Sequence, residues 1–188
     1  MGMDIYLENK KLKEKAKKAY QMRCHYVKRR DAEKDEVEKA KLQQKVEQWW
    51  AILYSPENGY FRVSYNAYSL SYWLMYNIDP KAKGEWGLEP FYSAIKDKKE
   101  PIIKSKAFAN NLLKTARRWY EEALKLKDKE SFLMIPDFEK SNFEKNRFVS
   151  KKAILKPKET NCYIDCTKEL VTFAELAVKT KSPIYVSA

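Results

Sequence analysis

Apolar residues recur at helical spacing along most of the chain, and the clearest example lies between residues 105 and 127. The intervals there are three or four residues, which places the apolar side chains on one face of a helix. The stripe consists of Phe108, Leu112, Ala116, Trp119, Ala123 and Leu126. Because this face is apolar along its length, the pattern predicts that Trp119 belongs to the core. Further helices are predicted over residues 65–77, 91–97, 136–148 and 167–179.

Short segments rich in β-forming residues mark both ends of the chain. Residues 3–7 and 183–188 predict two short strands, and residues 60–63 predict a strand or an extended entry to the next helix. Strands at opposite ends of a chain often pair, which would join the termini. The expected fold class is mainly α (α+β): a helical domain with a small sheet from the terminal strands and a long basic helical arm or hairpin.

The predicted arm occupies residues 8–54, which we interpret as a helical insertion within a single domain of residues 1–188. Residues 9–54 contain no Pro and no Gly, and they favour helix throughout. One continuous helix of this length would extend about 69 Å, so a hairpin with a bend near residues 30–35 is the preferred interpretation. Its second arm, residues 31–47, has a net charge of −2. Opposite charges suit antiparallel pairing of the arms, although exposed ion pairs contribute little to stability.

The composition suits one compact, helix-rich domain. The chain has 188 residues, of which 44% are hydrophobic, so it can bury one sizeable core. Residues 55–59 predict a turn, and loops are predicted over residues 81–90, around Gly84 and Gly87, and over residues 157–161.

Positive charge is concentrated near the N-terminus. The whole chain has a formal net charge of +12, and residues 8–30 alone contribute +8, with ten Lys and Arg against two Glu. The ten cations are Lys10, Lys11, Lys13, Lys15, Lys17, Lys18, Arg23, Lys28, Arg29 and Arg30. Clustered cations favour a polyanionic partner, because phosphate neutralisation releases counterions. The alternative is a solvated helix face with no partner.

A row of tyrosines is the second candidate binding feature. Its members are Tyr65, Tyr68, Tyr72 and Tyr76, spaced so that they share one face of a helix. Such amphipathic rings suit base stacking or a protein interface. The alternative is a core face whose hydroxyls reach solvent.

No pattern of residues predicts catalysis, a metal or a cofactor. The single histidine, His25, lies in the basic arm beside Cys24, and Cys162 and Cys166 are too few for a zinc site, which needs three or four ligands. No phosphate-binding loop or nucleophile elbow occurs. The carboxylates that would have to meet in space to hold Mg²⁺ are Asp4, Glu57, Asp79, Glu85 and Glu89. We therefore expect a protein that is not an enzyme.

Three features favour a cytoplasmic location. The chain has no run of 18 apolar residues, its first residues lack the pattern that export requires, and its three cysteines are an odd number. We expect no membrane partner, and the oligomeric state is left open.

The chain resembles a group of short phage and prophage proteins of unknown function. The resemblance rests on its opening residues (Met1, Gly2, Met3, Asp4 and Tyr6), on Tyr60-Phe61-Arg62 before an aromatic helix, and on the closing helix and strand. Residues 8–54 and 101–106 depart from the group's pattern. The resemblance implies a mobile-element origin and a bacterial host, and it implies no activity and no site residue.

Small phage proteins often act on host defence, and anti-CRISPR proteins are the commonest studied kind. By this analogy we expect a non-enzymatic binder of nucleic acid or of a ribonucleoprotein. One form would be an anti-CRISPR inhibitor that blocks DNA access of a Cas effector loaded with guide RNA. The alternatives are a metal-dependent nuclease or other nucleic-acid enzyme, and a structural protein whose arm mediates oligomerisation.

Overall fold

A computed structural model describes residues 2–64, 70–82, 88–95, 101–137, 140 and 149–187. Within these ranges, the helices are α1 (Lys10–Ala32), α2 (Glu36–Leu53), α3 (Leu70–Asn77), α4 (Glu89–Ile95), α5 (Lys106–Leu124) and α6 (Pro157–Thr180). The strands are β1 (Gly2–Leu7), β2 (Tyr60–Ser64), β3 (Ile102–Ile103), β4 (Ser131–Pro136), β5 (Ser150–Leu155) and β6 (Ile184–Ser187). The predicted mainly α fold with a small sheet is confirmed.

The two ends of the chain pair in a four-stranded antiparallel sheet with strand order β2-β1-β6-β3. Strand β1 is central, with Ile5 opposite Phe61 on β2 and opposite Val186 on β6. These three side chains are buried in the core. Since side chains alternate between the two faces of a strand, their neighbours Tyr6, Tyr60 and Tyr185 lie together on the outer face.

Helices α5 and α6 pack together, and α6 contacts the inner face of this sheet, where the ring centroids of Phe173 and Phe61 are 6.1 Å apart. The predicted stripe on α5 is confirmed: its middle four residues are buried, and Phe108 and Leu126 pack against the core. Ser105 caps this helix by accepting a hydrogen bond from the backbone N–H of Phe108 at 3.2 Å. The indole N–H of Trp119 donates to Asp79 at 2.9 Å.

Helices α1 and α2 form the predicted hairpin, with its bend at residues 33–35. Each helix begins at a strong N-cap, Asn9 for α1 and Asp35 for α2, whose side chains accept bonds from backbone N–H groups of the first turn. The buried residues between them are small or aliphatic: Ala19, Leu42 and Val46. No ion pair joins α1 to α2 in residues 10–53, so charge pairing does not hold the arms together as their opposite charges suggested.

Two local predictions are wrong, and one strand pair was missed. Residues 157–161 are the first turn of α6, because proline is favourable at the first helical position and Glu159 accepts a bond from the backbone N–H of Lys156 at 2.8 Å. Pro136 ends β4 instead of starting a helix, and most of the predicted helix 136–148 lies outside the described residues. The antiparallel β4–β5 pair was not predicted.

A buried polar chain attaches β4 to the helices. The indole N–H of Trp73 donates to Ser131 Oγ at 2.9 Å, and Ser131 Oγ lies 2.8 Å from Thr160 Oγ1. Ser131 and Thr160 are both buried. Each polar group thus has a partner, which avoids the cost of an unsatisfied buried group.

Candidate nucleic-acid interface

Eight of the ten predicted cations lie on the exposed surface of α1. They are Lys10, Lys11, Lys13, Lys15, Lys17, Lys18, Lys28 and Arg29. At 100° per residue these positions cover a broad arc of the helix, opposite the side that faces α2. Lys13 forms an ion pair with Glu8, whereas the other seven have no ion pair within the part of the chain that the structure describes. We call this surface the basic face.

Arg23 and Arg30 lie on the other side of α1, where they contact residues of α2. The guanidinium carbon of Arg23 lies 4.3 Å from the centroid of the Trp50 ring on α2. Arg30 donates to Gln43 on α2 at 2.7 Å and pairs with Asp31. Both are partly buried. The structure therefore separates them from the other eight cations, which sequence reasoning had grouped with them.

Only part of the predicted tyrosine row can be placed. Tyr65 and Tyr68 lie outside the described residues. Tyr72 and Tyr76 follow each other on α3 with ring centroids 6.5 Å apart, and both pack against the core. Burial, and then the neighbouring Tyr72, raises the pKa of Tyr76 above its ordinary value. These two rings are half-buried, with one side against the protein.

A second set of aromatic rings runs from the sheet to the hairpin. Along the series Tyr185, Tyr6, Tyr60, Tyr54 and Trp50, successive ring centroids are 5.1, 6.2, 4.8 and 4.4 Å apart. We call this series the aromatic ladder. Sequence reasoning missed it. The sequence does show that each tyrosine of the sheet is next to an apolar residue in a predicted strand. The register between the strands, which brings the tyrosines together, cannot be read from the sequence.

The ladder borders a cleft between α1, α2 and the sheet, with a volume of about 500 Å³. We call it the aromatic cleft. Tyr6, Tyr60 and Tyr54 line it from the sheet and from the end of α2, and Tyr20 lines it from α1. Tyr20 is 56% exposed and Tyr54 is 40% exposed. Lys13 and Lys17 of the basic face also line it, so cations and aromatic rings meet at one site.

A tight turn brings α1 close to the floor of the cleft. Gly59 has φ of +79°, in the left-handed region that glycine adopts most easily. A Cβ atom at this position would lie 2.8 Å from Cδ1 of Leu12. The glycine therefore permits both the turn and the close approach of α1.

Asp4, the one carboxylate among the described residues that line the cleft, is held by two partners. The Tyr60 hydroxyl donates to Asp4 Oδ1 at 2.7 Å, and Arg62 Nε lies 3.6 Å from the same oxygen. Burial, reinforced by the hydrogen bond to Asp4 and by its negative charge, raises the pKa of Tyr60. The phenol consequently stays protonated and remains a donor to Asp4 throughout the physiological range.

The other candidate residues for chemistry are dispersed. His25 is exposed and contacts Tyr26 edge-on at 5.3 Å. Glu57 is exposed. Glu85 and the side chain of Glu89 are not among the residues that the structure describes. The Asp79 carboxylate accepts a hydrogen bond from Trp119 and pairs with Arg118. Burial tends to raise the pKa of Asp79, but hydrogen bonds from Trp119 and the Lys81 backbone, together with nearby cations, lower it overall. Over the described ranges, no three His, Cys, Asp or Glu side chains form a group able to hold a metal ion.

The cysteines of α6 give a prediction about thiol reactivity. Burial, assisted by the negative charges of Glu169, Cys162 and Asp165, raises the pKa of Cys166 to about 11. Thiolates, not thiols, react with disulfide reagents. In single-cysteine variants, Cys166 should therefore react at least about tenfold more slowly at pH 8 than the exposed Cys162. The reaction rate of Cys166 should continue to rise up to about pH 11. A rate that levels off near pH 9 would contradict the shifted pKa.

Comparison with known proteins adds no assignment: no family model matches the chain, and no curated protein or solved structure matches it significantly. In the part of the chain that is described, no helix combines the length and apolar character needed to cross a bilayer.

Proposed function

We propose that this protein is a non-enzymatic binder of nucleic acid, either free or within a nucleoprotein, and that the basic face of α1 is its main contact surface. The observation that carries the proposal is the run of exposed cations on one side of a 23-residue helix, seven of them without an ion pair in the described structure. A helix of this length extends about 34 Å. Along the axis of a double helix, each strand contributes a phosphate about every 3.4 Å, so several fall within reach of one helix face.

The arrangement of these cations is unfavourable for the isolated helix. Lys11 and Lys15, and likewise Lys13 and Lys17, are four residues apart, where like charges destabilise a helix. The first turn contains Lys10, Lys11 and Lys13 and has no acidic residue. Cations at this end oppose the helix dipole, which favours negative charge there. A bound polyanion would relieve both effects, which supports a binding role for the face rather than a stabilising one.

The packing of α1 favours nucleic acid over a lipid surface. Helices that lie in a membrane interface need a free apolar face opposite their charged face. In α1 that side is occupied, because Ala19 is buried, Leu12 packs against the core, and Arg23 contacts Trp50 of α2. The helix therefore offers charge to a partner but no apolar face.

A narrower form of the proposal is an anti-CRISPR inhibitor of phage origin that blocks DNA access of a guide-loaded Cas effector in the bacterial cytoplasm. Its support is the resemblance to phage proteins, together with a basic face suited to a nucleoprotein. Such an inhibitor would act stoichiometrically.

The test is the salt dependence of binding to a labelled oligonucleotide. If several of the eight exposed cations contact phosphates, the logarithm of the association constant should fall with the logarithm of salt concentration with a slope of roughly −4 to −7. Fluorescence anisotropy over a salt series measures this slope. No binding at low salt, or a slope near zero, would contradict the proposal.

Two further outcomes would favour the alternatives. Cleavage of the labelled strand in the presence of Mg²⁺ would indicate a nuclease. A stable oligomer in light scattering, without affinity for nucleic acid, would indicate a structural protein.

A further inference from the structure

We propose that the aromatic cleft binds single-stranded nucleic acid by stacking a base on the exposed ring of Tyr54, with Tyr6 and Tyr60 as the aromatic wall beside it. This inference rests on the proposed function and specifies the form of nucleic acid that the protein selects. The site lies at the base of the α1–α2 hairpin, where the basic face ends against the sheet.

The tyrosines of the sheet do not belong to its core face. Ile5, Phe61 and Val186 fill the inner side, and the outer side presents Tyr6 and Tyr60 to the cleft. The faces of the Tyr6 ring are covered by near-parallel stacking with Tyr60 and Tyr185, whereas the neighbouring Tyr54 ring is 40% exposed. Aromatic side chains in a groove are a recurrent platform for unpaired bases, because every base has a flat π face.

The cleft combines this platform with positive charge. Lys13 and Lys17 line it, and both are exposed. Lys13 forms an ion pair with Glu8, whereas Lys17 has no ion pair in the described part of the chain. The carboxylate of Asp4 is engaged by Tyr60 and Arg62, which reduces its repulsion of phosphate. Proteins that bind single strands commonly combine a cationic groove with stacking rings.

The size and geometry of the site favour a single strand over a duplex. A volume of about 500 Å³ lies in the range of clefts that hold small molecules, and it is too small for a duplex. In a duplex the base faces are stacked on one another and cannot reach the tyrosines. A duplex would therefore contact the basic face through its phosphates alone, whereas a single strand would use both surfaces.

The experiment compares a labelled oligothymidylate, an oligouridylate and a duplex, each of about ten nucleotides or base pairs, at one salt concentration. The single strands should bind at least about tenfold more tightly than the duplex. Replacing Tyr54 by Ala should lower single-strand affinity about tenfold and leave duplex affinity unchanged. The variant Tyr54→Phe keeps the ring and should bind like the wild type. The two single strands report whether the cleft distinguishes RNA from DNA.

A matched control lies on α3. Tyr72 is also a partly buried tyrosine, and Tyr72→Ala should leave single-strand affinity unchanged. If Tyr72→Ala weakens binding and Tyr54→Ala does not, the stacking surface is on α3 and the assignment to the cleft is wrong. Equal affinity for duplex and single strands, insensitive to Tyr54, would overturn this inference while leaving the proposed function intact. Absence of binding to all three probes would overturn both.

A second measurement leaves all the tyrosines of the cleft unchanged. The ring centroids of Trp50 and Tyr54 are 4.4 Å apart, and Trp50 is the last ring of the ladder. A base that stacks in the cleft should quench tryptophan fluorescence, and most of this quenching should be lost in Trp50→Phe. Quenching that is unchanged in Trp50→Phe would place the bases elsewhere.

Discussion

Replacement of Lys10, Lys11, Lys17 and Lys18 by Glu should reduce nucleic-acid affinity at least about 100-fold at low salt. Each of these residues is exposed on the basic face of α1. Every lost phosphate contact should lower the magnitude of the salt slope by about one, and the new carboxylates would also repel phosphate. Anisotropy titrations of wild type and variant over the same salt series give both quantities.

The control is a reversal of equal charge elsewhere on the surface. Lys129, Lys158, Lys168 and Lys179 are exposed and lie outside α1. Their replacement by Glu changes the net charge by the same amount, so it should leave most of the affinity intact if local contacts dominate. Circular dichroism should show that both variants keep their helices. Equal loss of affinity in the two variants would show that overall charge, and not the basic face, governs binding.

The second large effect is on stability: Trp119→Ala should lower the free energy of unfolding by about 3–5 kcal/mol. Trp119 is 2% exposed and lies in the core between α5 and its neighbours. Its removal leaves a cavity, and Asp79 loses the indole donor at 2.9 Å. For a chain of this size the melting temperature should fall by about 10 °C or more. Chemical or thermal unfolding monitored by circular dichroism measures the loss.

Two variants separate the contributions to this loss. Trp119→Phe keeps most of the apolar volume but removes the hydrogen bond to Asp79, so its cost should be smaller. Trp50→Ala is the control of the same residue type, because Trp50 is 45% exposed and its truncation removes surface contacts with Arg23 and Tyr54 instead of core packing. A melting temperature of Trp119→Ala within a degree or two of the wild type would mean that the core is not centred on this stripe.

Local patterns in the chain were sufficient to predict several elements of the fold. The spacing of Phe108, Leu112 and Trp119 defined the buried face of α5, because helical periodicity is a property of neighbouring residues. The terminal strands were recognised from their β-forming residues, and the hairpin from the length of its helix-favouring run. The pairing of the terminal strands was inferred from their positions at opposite ends of the chain, not from a local pattern. The β4–β5 pair was missed, since strand pairing depends on contacts that short apolar runs do not reveal.

For the candidate site, the sequence by itself determined the concentration of positive charge in residues 8–30, because charge is a property of composition. Only the tertiary structure decided which of these cations are exposed and which contact the rest of the protein. The packing of α1 against α2 turned Arg23 and Arg30 inward and left eight cations exposed. Likewise, the register of β1 with β2 and β6 brought Tyr6, Tyr60 and Tyr185 together, although they are far apart in the chain. Such contacts depend on strand register and helix packing, which are set by interactions between distant residues and not by local spacing.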